Sequence, residues 1–468
     1  MDPSDNIDDH EAIGETTSLL NDERRHSHDD DSIQLIAAKH LSYRVLPLAA
    51  ISALAMAATS ATTIFAYASL LCEDPKNCND SETNRYAGYV AIATYIANLG
   101  GAMTLGFLSR LSRRNRKMGL LVWMICRSMS VVMLTFGVWI KSIAVALSGR
   151  IFEGLASDNL LHFNLNAIYV QSGDSKLASK LIGTSFALYM TGISVSPFIA
   201  GLFEDFTVSF ILALMLFGVT IGYLAVFIRS PSSERNGKDT ESRIFTGCSE
   251  IPRMLSPQYF LSGRRPLLFT AISLGLYNCV QSYAFPAMMV TASIRFHFTG
   301  RENGYLLSLS HMIATIYVLG TLYVVPWAVR YLSLQGLGKM CAVIQRGQRD
   351  PIMAVLSLLM QISSMLTIAL ASHVWQVYLT AALVALGLAT PSFVKADVAS
   401  LFAVEDRPAA MAALAMAETM GSIASPVLLG SIQTFLPKQT VFFVAAGILG
   451  FALAFFGMRL LLTHSSSR

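Results

Sequence analysis

The sequence predicts an all-α membrane protein with twelve transmembrane helices in two pseudo-symmetric six-helix halves. Three observations carry that prediction. Apolar runs of 18 or more residues recur along almost the whole chain, which is 53% hydrophobic and 14% charged with mean hydropathy +0.52. Short glycine-containing motifs recur at matching places in its two parts, and a polar segment, residues 229–265, separates those parts. A soluble enzyme or a nucleic-acid-binding domain is excluded by such a composition, and the excess of basic residues reads as cytoplasmic loops.

Residues 1–43 form a polar tail that precedes the first apolar run. Its first 40 residues hold 11 acids against three Lys or Arg, so the other 428 hold 19 acids and 31 basic residues. Few large apolar residues interrupt it, which predicts disorder, and no apolar core of a signal peptide is present. The first predicted span covers about 44–71 and the second about 86–108. Between them an acidic loop carries Cys72 and Cys78, close enough to pair in an oxidising compartment, and the glycosylation sequon at Asn79. These place the loop on a lumenal or extracellular side. The next loop, Ser109 to Lys117, has five basic residues and no acid and is therefore cytoplasmic. Further spans are predicted at about 119–140, 143–169, 178–203 and 208–228, closing a first half over 44–228. Past the cytosolic linker at 229–265 the second half, 266–462, has spans at about 266–294, 304–327, 351–371, 374–396, 409–433 and 438–462. Residues 463–468 form a short tail. Twelve crossings put both termini in the cytosol.

The repeats are specific. Gly192 to Gly201 in the fifth span aligns with Gly421 to Gly430 in the eleventh, each with a Ser-Pro pair in register. Gly154-Leu-Ala-Ser157 in the fourth aligns with Gly387-Leu-Ala-Thr390 in the tenth, and Gly88-Tyr89 with Gly304-Tyr305. Duplicated six-helix halves rocking about a midplane site are an architecture of secondary transporters.

Charges inside these spans point to the site. Arg150, Glu153 and Asp158 sit in the fourth span, where a charge costs on the order of 3 kcal/mol and so faces a cavity or a partner. Arg150 lies one turn before Glu153 and can hold it ionised. His162, one turn after Asp158, can relay a proton. Glu418, with no opposite charge nearby in sequence, is a further proton-site candidate, and the structural alternative for Arg150 and Glu153 is a plain ion pair. Arg127, Lys395 and Asp397 rank below this set. Tyr277, Asn278, Gln281 and Tyr283, around Pro286 in the seventh span, with His311 in the eighth, are the candidate substrate contacts, since aromatic and amide groups suit a partly apolar organic solute. No cofactor, metal or nucleophile-and-base motif is present, and the chain is expected to act as a monomer in the bilayer.

Over residues 44–462 these features resemble the major facilitator superfamily. Arg150-Ile-Phe-Glu153-Gly154-Leu-Ala156-Ser157 looks like the fourth-helix motif of its proton-coupled members. Gly183, Gly192, Ser196, Pro197 and Gly201 are similar to its fifth-helix antiporter motif, with Ser196 and Ala200 replacing two glycines. Gly106, Arg110 and Arg113 are a degraded match to its cytoplasmic gating motif, with Ser109 where an Asp is usual. The group that includes drug:proton antiporters and the proton-coupled folate transporter is similar to the whole. That resemblance implies a carrier of small organic solutes coupled to protons, by antiport for efflux or organelle loading. The alternatives are uptake symport of an organic anion and a non-transporting receptor or scaffold. In the tail, Glu15, Leu19 and Leu20 look like an acidic dileucine signal, which implies a sorting adaptor as partner and a vacuolar or lysosomal membrane, with the plasma membrane the alternative.

Overall fold

The computed structural model describes residues 41–75, 78–114, 116–170, 175–203, 205–228, 265–320, 349–402 and 407–466, with isolated positions between 321 and 348. All regular structure among them is helical. In chain order the helices are α1 (Leu41–Leu71), turned at residues 58–59, α2 (Asp80–Arg114), α3 (Arg116–Trp139), α4 (Ile143–Leu155), α5 (Asp158–Val170), α6 (Ser175–Gly201) and α7 (Thr207–Phe227). After the linker come α8 (Arg265–Phe296), α9 (Gly300–Leu319), α10 (Arg349–Leu370), α11 (Val374–Gly387), α12 (Thr390–Leu401), α13 (Arg407–Phe435) and α14 (Thr440–Ser466).

Eight segments among the described residues are long and apolar enough to cross a membrane. They include α3, α7, α10 and most of α14, and they leave large apolar side chains such as Trp139, Phe435 and Leu461 outward, as lipid contact requires. The predicted crossings outside those eight fall on α2, α4 with α5, α8 and α9. α4 and α5 have 13 residues each, too few to cross singly, and these four segments carry the polar side chains Asn98, Arg150, Glu153, Asp158, Ser282 and His311.

The single fourth span expected over 143–169 is in fact two helices. α4 stops at Leu155, Ala156 and Ser157 form a turn, and α5 starts at Asp158. The expected tenth span is broken in the same motif one residue earlier, at Leu388 and Ala389, between α11 and α12. The repeated Gly-Leu-Ala-Ser/Thr motif therefore marks a repeated break. Irregular backbone at membrane depth is tolerated where neighbouring protein groups bond to it. The Trp123 indole Nε1 donates to Ser157 O at 2.9 Å, and the Tyr277 hydroxyl donates to Gly387 O at 2.8 Å, an aromatic donor from a neighbouring helix in both places.

The other repeat fixes close helix approach. A Cβ on Gly192 of α6 would lie 2.7 Å from Ala53 Cβ and 2.8 Å from Ala50 O of α1; on Gly421 of α13 it would lie 2.1 Å from Gly275 O of α8. At the far ends of the same helices, a Cβ on Gly304 of α9 would meet Pro197 O of α6 at 2.6 Å, and one on Gly430 of α13 would meet Ala91 Cβ of α2 at 2.3 Å. Ser196, where the related motif has glycine, donates to Leu54 O of α1 at 2.5 Å, so the replacement gains a hydrogen bond.

Helices α1–α7 and α8–α14 meet at the end that carries the Cys72–Cys78 loop. There Lys438 Nζ donates to Asn84 Oδ1 at 2.6 Å, Ser308 donates to Ser194 O, and α6 packs along α9 as α13 packs along α2. Deeper in, Asn98 Nδ2 donates to Ser422 O and to Ser282 Oγ, each at 2.8 Å. Cys72 and Cys78 form a disulfide with Cα atoms 5.2 Å apart, and Asn79 beside it is exposed.

Candidate functional site

A cavity of about 400 Å3 lies between the two groups of helices. Its polar wall is built where α3, α4 and α5 converge. Gly149 lets α4 approach α3, because a Cβ there would sit 2.7 Å from Ser130 O, and Gly154 lets α4 approach α2, because a Cβ there would sit 2.6 Å from Ala97 O. Arg127 reaches from α3 to both carboxylates: Nη1 to Glu153 Oε1 at 3.0 Å and Nη2 to Asp158 Oδ1 at 3.1 Å. Arg150 Nη1 holds the other Glu153 oxygen at 2.5 Å, and its Nε donates to the Tyr67 hydroxyl of α1 at 2.9 Å, with the guanidinium 5.5 Å from the Tyr67 ring centroid. Two guanidiniums and two carboxylates thus form one charge-balanced chain, with Glu153 clamped from both sides. Bridging several charges this way removes the cost of isolated ones, and it leaves a group that can lose a partner and be neutralised by a proton.

The opposite wall is aromatic and apolar. On α8, Ser282, Phe285, Pro286 and Met289 follow the i, i+3, i+4, i+7 spacing of one helix face and line the cavity. His311 of α9 stacks on Phe285 at 5.5 Å, and its Nδ1 lies 2.8 Å from Leu307 O. Ile193 and Pro197 of α6, Phe217 of α7, and Thr63 and Ile64 of α1 complete much of the enclosure.

Of the candidate residues, Arg150, Glu153, Asp158, His311 and Pro197 line this cavity among the described residues; His162, Glu418, Tyr277, Asn278, Gln281 and Tyr283 do not. His162 packs edge-on against Tyr189 at 4.4 Å, behind Asp158. Tyr277 serves the helix break, the Tyr283 hydroxyl donates to Gln433 Oε1 at 2.9 Å, and Gln281 Oε1 accepts from Gln361 Nε2 at 2.8 Å, so these three polar groups are used in helix packing. Asn278 is half-buried on the same helix. Glu418, read from the sequence as lacking an opposite charge, is paired with Lys395 Nζ at 2.6 Å. Asp397 is buried against Arg459 of α14. Gly183 is exposed on α6, whereas Gly192, Ser196 and Gly201 sit in helix contacts. Gly106, Arg110 and Arg113 lie on α2, and their side chains fall outside the described residues, as do Glu15, Leu19 and Leu20 altogether.

The residue that sequence reading ranked too low is Arg127. Its signal was present, a lone guanidinium inside an apolar run. Its partners, however, lie 26 and 31 positions away, beyond any local spacing rule.

No protein-family model and no curated protein matches the chain. Solved structures do. The human organic anion transporter MFSD10 (TETRAN) is similar over 89% of this chain and 99% of its own, with TM-score 0.55 and 14% identity. The nucleoside transporter NupG matches over 89% and 98% with TM-score 0.59 and 12% identity, and the POT family transporter PepTSo over 90% and 98% with TM-score 0.57 and 12% identity. The chain has the fold of these membrane transporters.

Proposed function

We propose that the protein is a secondary active transporter that moves a small organic solute by alternating access coupled to protons. The observation that carries this reading is the Asp158–Arg127–Glu153–Arg150 chain on the wall of a cavity between two groups of helices. Breaks repeated at Ala156–Ser157 and Leu388–Ala389 support two six-helix halves, 44–228 and 266–462, joined by a cytosolic linker and related by duplication. With the disulfide loop on the lumenal or extracellular side and both termini cytosolic, the two halves meet at their lumenal or extracellular end. Similarity of the fold to an organic anion transporter, a nucleoside transporter and a peptide transporter supports an organic cargo.

Two signs of coupling are open to such a carrier. The α6 motif resembles that of antiporters and favours exchange; the two guanidiniums at the cavity favour entry of an organic anion together with its proton. The test is a proton-flux assay in proteoliposomes against a panel of organic solutes. Solute-driven proton movement is expected in the wild-type protein, and none in the Glu153→Gln/Asp158→Asn double variant recovered as a monodisperse protein. Normal proton-coupled transport by that variant would remove both residues from the mechanism, and a wild-type protein that moves no proton with any solute would leave a receptor or scaffold in its place.

The tail sets the address in this proposal. Glu15, Leu19 and Leu20 would be read by a sorting adaptor in an extended segment, placing the carrier in a vacuolar or lysosomal membrane with the Asn79 loop facing the acidic lumen. Replacing Leu19 and Leu20 by Ala is then expected to shift the protein to the cell surface in microscopy and surface labelling. An unchanged distribution would make the motif a chance match.

A further inference from the structure

We infer that the cargo of this cavity is a small organic anion, and that it takes the place of Asp158 on Arg127 when Asp158 gains a proton. The inference rests on the proton-coupled reading above, and it replaces the antiport direction that α6 alone suggests.

The argument is a charge count on one wall. Arg127 and Arg150 supply two positive charges, Glu153 and Asp158 two negative ones, and each carboxylate is within 3.1 Å of a guanidinium. A guanidinium does not lose its proton in a protein, whereas a carboxylate gains one readily. The change of charge available to this chain is therefore the neutralisation of an acid, which leaves a guanidinium in excess. A cationic solute would have to expel a guanidinium tethered to the same wall. An anionic solute needs only that an acid withdraw.

Geometry selects which acid. Glu153 is gripped by both arginines, and its side chain is 28% exposed; Asp158 meets one guanidinium, that of Arg127, and is 46% exposed. The ion pair that breaks at the smaller cost is therefore Asp158 with Arg127. Its loss leaves Nη2 with only the weak acceptor Met56 Sδ at 2.9 Å, on a guanidinium whose Nε is already buried with no hydrogen-bond partner among the described residues. The groups that bear on Asp158 from packed elements are Arg127 on α3, Tyr189 on α6 and His162 on α5 itself. Glu153 and Arg150 on α4 are linked to it through Arg127, and His311 lies on α9 across the cavity. A proton on either histidine would add charge of the same sign as the freed guanidinium.

The rest of the cavity describes the body of the cargo. Phe285 with His311 stacked on it, Met289, Phe217 and Ile193 form an apolar surface facing the arginines, and about 400 Å3 lies within the range of organic-ligand sites. That suits a monoanion with an aromatic or aliphatic body rather than an inorganic ion. Because proton and anion favour the same state of the site, each raises the affinity for the other, and the two move together.

The test uses the full-length purified protein and three probes with one ring system: 2-naphthoate, 2-naphthalenemethanol and 2-naphthylmethylammonium. Equilibrium binding is measured at pH 5.5 and pH 7.5. Naphthoate is expected to bind at least about fivefold more tightly at the lower pH, and more tightly than either counterpart. Asp158→Asn should bind it equally at both pH values, and Arg127→Gln should lose it. If Arg127→Gln does not fold, Asp158→Asn still decides, because a retained pH dependence in that variant overturns the inference. It is overturned equally by preferential binding of the ammonium probe at pH 7.5, by unchanged naphthoate affinity in folded Arg127→Gln, or by no binding of any probe. Solute-driven proton flux in the liposome assay, seen alongside any of those results, would refute the anion while leaving proton coupling in place. Absence of flux with every solute would refute the coupled reading itself.

Discussion

Arg127→Leu is expected to destabilise the folded protein by about 3 kcal/mol and to abolish proton-coupled transport. Removing one member of a buried ion pair leaves an uncompensated charge, a loss of about 3–5 kcal/mol. Two features set the lower end here. Glu153 keeps Arg150 as a partner, and the half-exposed Asp158 recovers solvation that offsets much of its lost contact. The decisive comparison is the triple variant Arg127→Leu/Glu153→Gln/Asp158→Asn, in which no acid is left beside the missing guanidinium. It should regain part of the stability in a denaturant or thermal titration in detergent while remaining inactive. If Arg127→Leu alone unfolds within about 0.5 kcal/mol of the wild-type protein, the arginine is not the clamp that its contacts imply.

That clamp also shows where sequence reasoning reached and where it stopped. Arg150 and Glu153 are one helical turn apart, so their pairing follows from the 3.6-residue period alone, and the 2.5 Å contact realises it. Arg127 with Asp158, and Lys395 with Glu418, join different helices at sequence separations of 31 and 23, and no local rule selects those partners. The duplicated motifs were legible as repeats but not as devices. The helix breaks in Gly154-Leu-Ala-Ser157 and Gly387-Leu-Ala-Thr390 each receive a donor from elsewhere, the Trp123 indole and the Tyr277 hydroxyl, which no local spacing selects. Tyr277 was read as a solute contact for the same reason: an aromatic hydroxyl inside a span has two uses, and only the fold tells which carbonyl it meets. On α8 the helical period separates the two uses, because Ser282, Phe285, Pro286 and Met289 share the face that lines the cavity while the hydroxyls of Tyr277 and Tyr283 reach α11 and α13.

The close approaches in the repeats carry the second large effect. In Gly421→Ala the new Cβ would lie 2.1 Å from Gly275 O and 3.0 Å from Cys279 N, both backbone atoms of α8 that cannot turn aside as a side chain can. Helices α8 and α13 would have to separate along a contact where a Cβ on Gly275 would likewise meet Ala417 O at 3.2 Å. Overpacking of this kind costs about 1–3 kcal/mol when neighbours can adjust, and the rigid backbone on both sides puts this site at about 3 kcal/mol or above. Gly192→Ala, at the matching position in α6, meets Ala53 Cβ at 2.7 Å and Ala50 O at 2.8 Å and should suffer a similar but smaller loss, because its shortest contact is the longer of the two. Gly183 belongs to the same motif on α6, but nothing lies within 4 Å of a Cβ built there, so Gly183→Ala should leave stability unchanged or slightly raised through its higher helix propensity. Thermal unfolding of the three single variants in one detergent tests this order. If Gly183→Ala proves as damaging as Gly421→Ala, the glycines of the motif act through backbone freedom rather than helix contact, and the packing explanation of the repeat would have to be abandoned.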